Sequence, residues 1–199
     1  MSAAASRKRR DILEAATAVF RDEGYDAASM DRIAERAGAS KRTVYNHFGS
    51  KEALFQAVVA MLMADMHALK RLPFDPARPV ADQLADYARS KTAVTENPSW
   101  MALLRVLLGV FARDPALAQA TLRQAMPADD PFVAWLEAAH AAGALDAPDA
   151  AVAAPIFQAM LAGALFWPQV LEGPLPAASR ARITAELIAT FLARFGVER

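Results

Sequence analysis

The chain has 199 residues, 55% of them hydrophobic, and is long enough to bury a core without covalent staples. It has no cysteine, which excludes disulfides, thiolate metal sites and thiol nucleophiles and fits a reducing compartment. Its 22 Lys and Arg balance 22 Asp and Glu overall, yet residues 1–51 hold ten basic and seven acidic groups, the asymmetry of a small nucleic-acid-binding module on an acidic body.

No segment alternates with period two, so the expected fold class is all-α. The basic run Arg7–Arg10 opens a helix that reaches about Glu23, with Ile12, Ala16, Val19 and Phe20 on one face and Gly24 as its stop. It is not the start of a signal peptide, because Asp11, Glu14, Arg21, Asp22 and Glu23 interrupt any apolar stretch. Ser29 caps a short helix from Met30 to Ala37 that ends at Gly38, and Ser40 caps another that closes near Phe48. Ser50 then caps a long helix toward Arg71, with Leu54, Phe55, Val58 and Leu62 as its apolar stripe. Residues Pro73–Pro79 form a loop. Asn97-Pro98, Asp114-Pro115 and Asp130-Pro131 each pair a cap with proline at the first helical position. They punctuate helices over 80–96, 98–112, 115–126 and 131–142. Helices from Pro148 to Phe166 and from Ala178 to Phe195 complete the chain.

The run Ala150–Leu171 carries no charge and is long enough to span a membrane. It is nevertheless alanine-rich, contains Pro155, Gln158, Pro168 and Gln169, and has acidic flanks in Asp149 and Glu172. It reads as a buried helix, with no membrane partner.

The informative stretch is Ser29–Lys51, SMDRIAERAGASKRTVYNHFGSK. Two short helices around Gly38 have the helix-turn-helix layout. Ile33, Ala34, Ala37, Val44 and Phe48 supply an apolar contact, and Gly38 suits a turn with positive φ. Lys41, Arg42, Tyr45 and Asn46 are left pointing outward, able to bond base edges or phosphates. A short polar helix in any bundle gives a similar local pattern, so the wider sequence decides.

Ala16, Phe20, Gly24 and Tyr25, then Ile33, Ala34, Ala37 and Gly38, then the run Thr43–Leu54 resemble the tetracycline-repressor (TetR) family over about residues 8–58. The resemblance implies a DNA-binding domain over 7–51 and an effector-binding and dimerisation domain over 52–199. It implies that Ser40, Lys41, Arg42, Tyr45 and Asn46 face the major groove, with Lys41 and Arg42 suited to guanine and Asn46 to adenine. Thr43, His47 and Lys51 match phosphate-holding positions. Four cations at a helix N-terminus oppose its dipole, which points to Arg9 and Arg10 as an arm on the DNA backbone or minor groove.

Double-stranded operator DNA is therefore the expected partner, bound by a homodimer. Apolar residues of the last two helices are the expected dimer surface: Met160, Leu161, Leu165, Leu187, Ile188, Phe191 and Phe195. A small apolar or aromatic effector is expected among Trp100, Leu104, Leu107, Trp135, Met160 and Phe166. His47, His67 and His140 are far apart, and no phosphate loop or nucleophile elbow appears, so no enzyme, cofactor or metal is expected. The reading is a ligand-responsive, cytoplasmic repressor. An activator, or an architectural DNA-binding protein without an effector, would carry the same N-terminal module.

Overall fold

The computed structural model describes the backbone of residues 3–68, 73–125 and 129–197, and the side chains of 5–63, 73–123 and 129–197. The expected end of the fourth helix near Arg71, the end of the 115–126 helix and the side chain of His67 lie outside these residues. Helices α1 (Ala3–Ala27), α2 (Met30–Arg36), α3 (Lys41–Phe48) and α4 (Lys51–Ala68) come first. Then follow α5 (Val80–Thr92), a 3₁₀ turn (Ala93–Glu96), α6 (Pro98–Arg113), α7 (Pro115–Ala125) and α8 (Pro131–Ala141). Helix α9 (Ala150–Leu161), a π-turn (Ala162–Phe166), α10 (Trp167–Leu171) and α11 (Ala177–Phe195) complete the order. Among the described residues the only β feature is an isolated bridge between Leu145 and Gly196.

The helix starts follow local chemistry. The Oγ atoms of Ser29, Ser40 and Ser50 accept from the amides of Arg32, Thr43 and Ala53, at 3.1, 3.1 and 3.0 Å. Asp114 and Asp130 cap α7 and α8 in the same way. Gly24 and Gly38 take φ of 80° and 54°, the left-handed region that a Cβ disfavours. Several boundaries differ from the sequence expectation. Helix α1 starts at Ala3 and resumes beyond a kink at Gly24 to reach Ala27, and the helix expected over 80–96 is α5 followed by the 3₁₀ turn. The Pro148–Phe166 helix does not stop at Phe166 but widens into the π-turn and runs on to Leu171. Pro168 has no amide to offer the preceding turn, and the wider turn ahead of it absorbs the misfit. Buried Gln169 donates its side-chain amide to the Leu165 carbonyl and so secures that turn.

The chain forms two compact units, residues 1–65 with 99–126 and residues 66–98 with 127–199. The core of the first contains Ile12, Val19, Phe20, Ile33, Val44, Phe48, Leu54, Phe55, Val58 and Leu62. Leu103, Leu107 and Val110 of α6 fill the same core, and the Phe111 ring meets Phe55 edge-on at 6.2 Å. The first unit thus extends past residue 51, because the apolar stripe of α4 is part of what holds α1–α3 together.

The core of the second unit is an aromatic stack. Tyr87 lies on Phe132 at 4.0 Å, Phe132 on Trp135 at 5.6 Å, and Phe157 against Phe191 at 4.8 Å. Gln158 donates to the Tyr87 hydroxyl at 2.9 Å and to Asp130 at 2.7 Å, tying α9 to α5 and to the start of α8. The uncharged run Ala150–Leu171 meets the length and composition of a membrane span, but Ala153, Ala154, Phe157, Leu161 and Leu165 are buried in this unit's core.

Residues of the expected dimer surface take part in that packing. Leu161, Leu165, Ile188, Phe191 and Phe195 are core residues of their own protomer, with Leu161 and Phe191 at most 1% exposed. Met160 and Leu187 are half-buried. The apolar side chains that α9 and α10 turn outward are instead Val152, Ile156, Trp167 and Leu171, from 42 to 76% exposed.

Candidate nucleic-acid interface

Helix α3 is amphipathic over two turns. Val44 and Phe48 are buried against the first core, while Lys41, Arg42, Tyr45 and Asn46 are exposed together on the opposite side. Thr43 and His47 flank them, half-buried, and Ser40 and Thr43 share a 2.8 Å hydroxyl hydrogen bond at the start of the helix. Seven of the ten residues expected on DNA therefore lie on or beside one exposed surface of one helix.

Exposed ion pairs join α1 and α2. Arg32 on α2 donates to Glu23 on α1 at 3.0 Å and to Glu35 at 2.9 Å, and Arg36 donates to Asp22 at 3.0 Å. Asp22 also accepts from Arg21 at 2.7 Å, and that hydrogen bond holds its carboxyl below the usual carboxylate range. Lys8 donates to the Gly38 carbonyl at 3.2 Å, joining the start of α1 to the turn. Sequence alone gives no partners for Lys8, Arg32 and Arg36. Their i,i+3 and i,i+4 charges announce a polar face, but the partners on α1 are set by packing.

The basic arm is divided. Arg9 lies over the Phe48 ring, 5.2 Å from its centroid, which anchors it beside α3. Arg10 is exposed, with no partner among the described residues. Lys51 is held from within the module. Its Nζ donates to the carbonyls of Tyr25, Asp26 and Ala28 at 2.9, 3.2 and 3.0 Å, and it sits 4.6 Å from the Tyr25 ring centroid. An ammonium has three donors, and all three are engaged. Lys51 thus ties the head of α4 to the α1–α2 connection, and in this arrangement no N–H remains for a phosphate.

The expected effector residues divide between the two units. Trp100 and Leu107 pack in the first core, Trp135 in the aromatic stack of the second, and Phe166 lies edge-on to Trp167 at 5.3 Å. Met160 borders a groove of about 320 Å³ between α9 and α11, beside Val152 and Ile156. Leu104 is buried and lines none of the cavities described here. The largest described cavity, about 700 Å³, is a cleft between α5 and α11, walled by alanines such as Ala85, Ala181 and Ala185, with Leu165 of the π-turn among its lining. Asp82, Arg89, Glu96 and Arg180 give it a charged rim, where Arg180 and Glu96 pair at 2.8 Å. Among the described residues no group of three His, Asp or Glu is placed to hold a metal ion.

Residues 12–58 match the model of bacterial regulatory proteins of the tetR family, and residues 82–197 match that of the C-terminal domain of AefR-like transcriptional repressors. The transcriptional activator FasR of Mycolicibacterium smegmatis is 54% identical over 52 residues, 26% of this chain and only 24% of FasR. The crystal structure of a TetR family regulator from Pseudomonas syringae is 32% identical over 96% of this chain and 98% of its own, with a TM-score of 0.77. FrrA, a flavonoid-responsive regulator, is 27% identical over 98% of this chain and 100% of its own, with a TM-score of 0.75.

Proposed function

The chain belongs to the tetR family of bacterial regulatory proteins, not to a family of enzymes. On that premise we propose that it is a cytoplasmic transcriptional repressor, binding palindromic operator DNA as a homodimer and released by a small apolar or aromatic effector. The observation that carries the DNA reading is the exposed face of α3, where Lys41, Arg42, Tyr45 and Asn46 stand over a rigid apolar base. Repression is favoured because the C-terminal model that matches more than half of the chain describes repressors. The likeness to the activator FasR covers only 52 residues, 26% of this chain.

Selection of bound duplexes from a random pool should return an inverted repeat, with half-sites about 34–36 Å apart for one helical turn. Binding should weaken steeply with salt, since several phosphates are neutralised per dimer. With Arg42→Ala, preference at one position of each half-site should relax, at about 1–3 kcal/mol per lost bidentate contact. A selected motif unchanged in that variant would move Arg42 from base reading to positioning.

For the dimer, the outward ridge Val152, Ile156, Trp167 and Leu171, with half-buried Met160 and Leu187 nearby, is the surface that supports self-association. For the effector, the α5–α11 cleft is the favoured site. Its volume of about 700 Å³ lies in the range of small-molecule pockets, roughly 300–1,000 Å³. Narrow alanine walls suit a flat, mostly apolar ring system, and FrrA offers a precedent for response to flavonoids. Ala185→Trp should fill the cleft and abolish release by any such effector while operator binding persists. Unaltered release in that variant, measured against a panel of planar aromatic compounds, would place the sensor elsewhere.

A further inference from the structure

The two cations at the head of α3 are treated differently by the fold. Arg42 is exposed and has no partner among the described residues. Lys41 is paired: its Nζ donates to the carboxylate of Asp31 on α2 at 2.9 Å, with both side chains 61% exposed. The other acids nearby are engaged elsewhere, since Asp22, Glu23 and Glu35 accept from Arg21, Arg32 and Arg36. Asp31 alone among them reaches across to the recognition helix. The pairing also holds the Lys41 ammonium more firmly protonated than usual, chiefly through that hydrogen bond.

We propose that Asp31 limits the affinity of this protein for DNA by competing with the duplex for Lys41, so that docking of each α3 exchanges one ion pair for another. The inference rests on the DNA-binding reading above.

Two effects set the size of this competition. An exposed ion pair is weak, favouring the paired state by a factor of about 1.4 to 5. Asp31 therefore cannot block Lys41, and its effect is a fixed discount on every complex that recruits this lysine. Secondly, a phosphate that meets Lys41 also approaches the carboxylate just released. The local charge of the pair is zero, so few counterions leave the DNA on its account. Removing the acid restores one full cation per head, and each such cation steepens log K against log[salt] by about 0.9.

The test uses full-length protein, Asp31→Asn, and the same change in a Lys41→Gln background, with poly(dI-dC) as probe DNA and a selected operator duplex beside it. Asp31→Asn should raise dimer affinity about 2- to 25-fold, two heads each contributing the factor above, and steepen the salt slope by up to about 1.8. In the Lys41→Gln background most of that gain should vanish. A full gain there would mean that the acid acts through its general field, and an unchanged slope in the single variant would equally overturn the proposal. A second readout is independent of DNA. Lys41 should be acetylated faster by acetic anhydride once Asp31 is removed, as read by peptide mass spectrometry, and equal rates would deny the pair itself. If the rates differ but neither protein binds any duplex, the regulator reading fails, and the competition fails with it. If the rates differ and DNA is bound with no gain, only the competition falls.

Discussion

Substitution of Ile156 by glutamate is expected to give a folded monomer that binds operator DNA about 10²- to 10⁴-fold more weakly than wild type. The side chain is 43% exposed on α9, next to Val152 and Met160 in the groove against α11. A protomer loses little by exchanging an exposed isoleucine, since surface changes usually stay within about 0.5 kcal/mol. A dimer is different, because a carboxylate buried in an apolar seam without a partner is strongly unfavourable. The large loss on DNA follows from geometry and needs no lost contact with the duplex. Once one head is seated, the second half-site sees its own head at an effective concentration set by the dimer, a gain of about 10²–10⁴. Sedimentation velocity and operator titration on the same preparation check this outcome. An intact dimer in the variant would shift the interface away from the α9–α10 ridge.

The second large effect concerns Phe191, and it runs the other way. Phe191 is 1% exposed, with ring contacts to Phe157 at 4.8 Å and to Phe195 at 4.7 Å. Phe191→Ala should destabilise the second unit by about 3–5 kcal/mol, the usual cost of deleting a buried ring and leaving part of its cavity. Total stabilities are about 5–15 kcal/mol, so this variant should approach the threshold of unfolding. Urea titration at several protein concentrations separates the effect from dissociation, whose contribution alone varies with concentration for a dimer. Were Phe191 an interface residue instead, Phe191→Ala would loosen the dimer and leave the protomer's urea midpoint nearly unchanged.

These two residues mark where reading from sequence stops. In α9 and α11 the apolar positions exceed one face, so helical periodicity cannot say which of them meet the protomer's own core. Neighbouring helices decide it. Tyr87, Phe132 and Phe157 form the aromatic wall against which Phe191 packs, while Ile156, one position before Phe157, points away from it. The same limit applied to the effector residues. Trp100, Leu107 and Trp135 look alike in sequence, yet the first two belong to one core and the third to the other.

What the sequence by itself determined was everything that short-range chemistry controls. Serine and aspartate caps, Gly38, and proline at first helical positions set most of the starts from α2 to α9. The outward set Lys41, Arg42, Tyr45 and Asn46 was legible because Val44 and Phe48 are its only apolar counterparts on a short helix. The tertiary structure alone decided the partners of the long cationic side chains. Lys51 meets carbonyls 23 to 26 positions earlier in the chain, and Lys41 meets an acid ten positions earlier on another helix. A lysine Nζ stands at the end of a flexible four-carbon stem, so its place is fixed by whichever acceptors packing brings within reach. Sequence could identify the cations, but only the packed helices determined which of them were left for DNA.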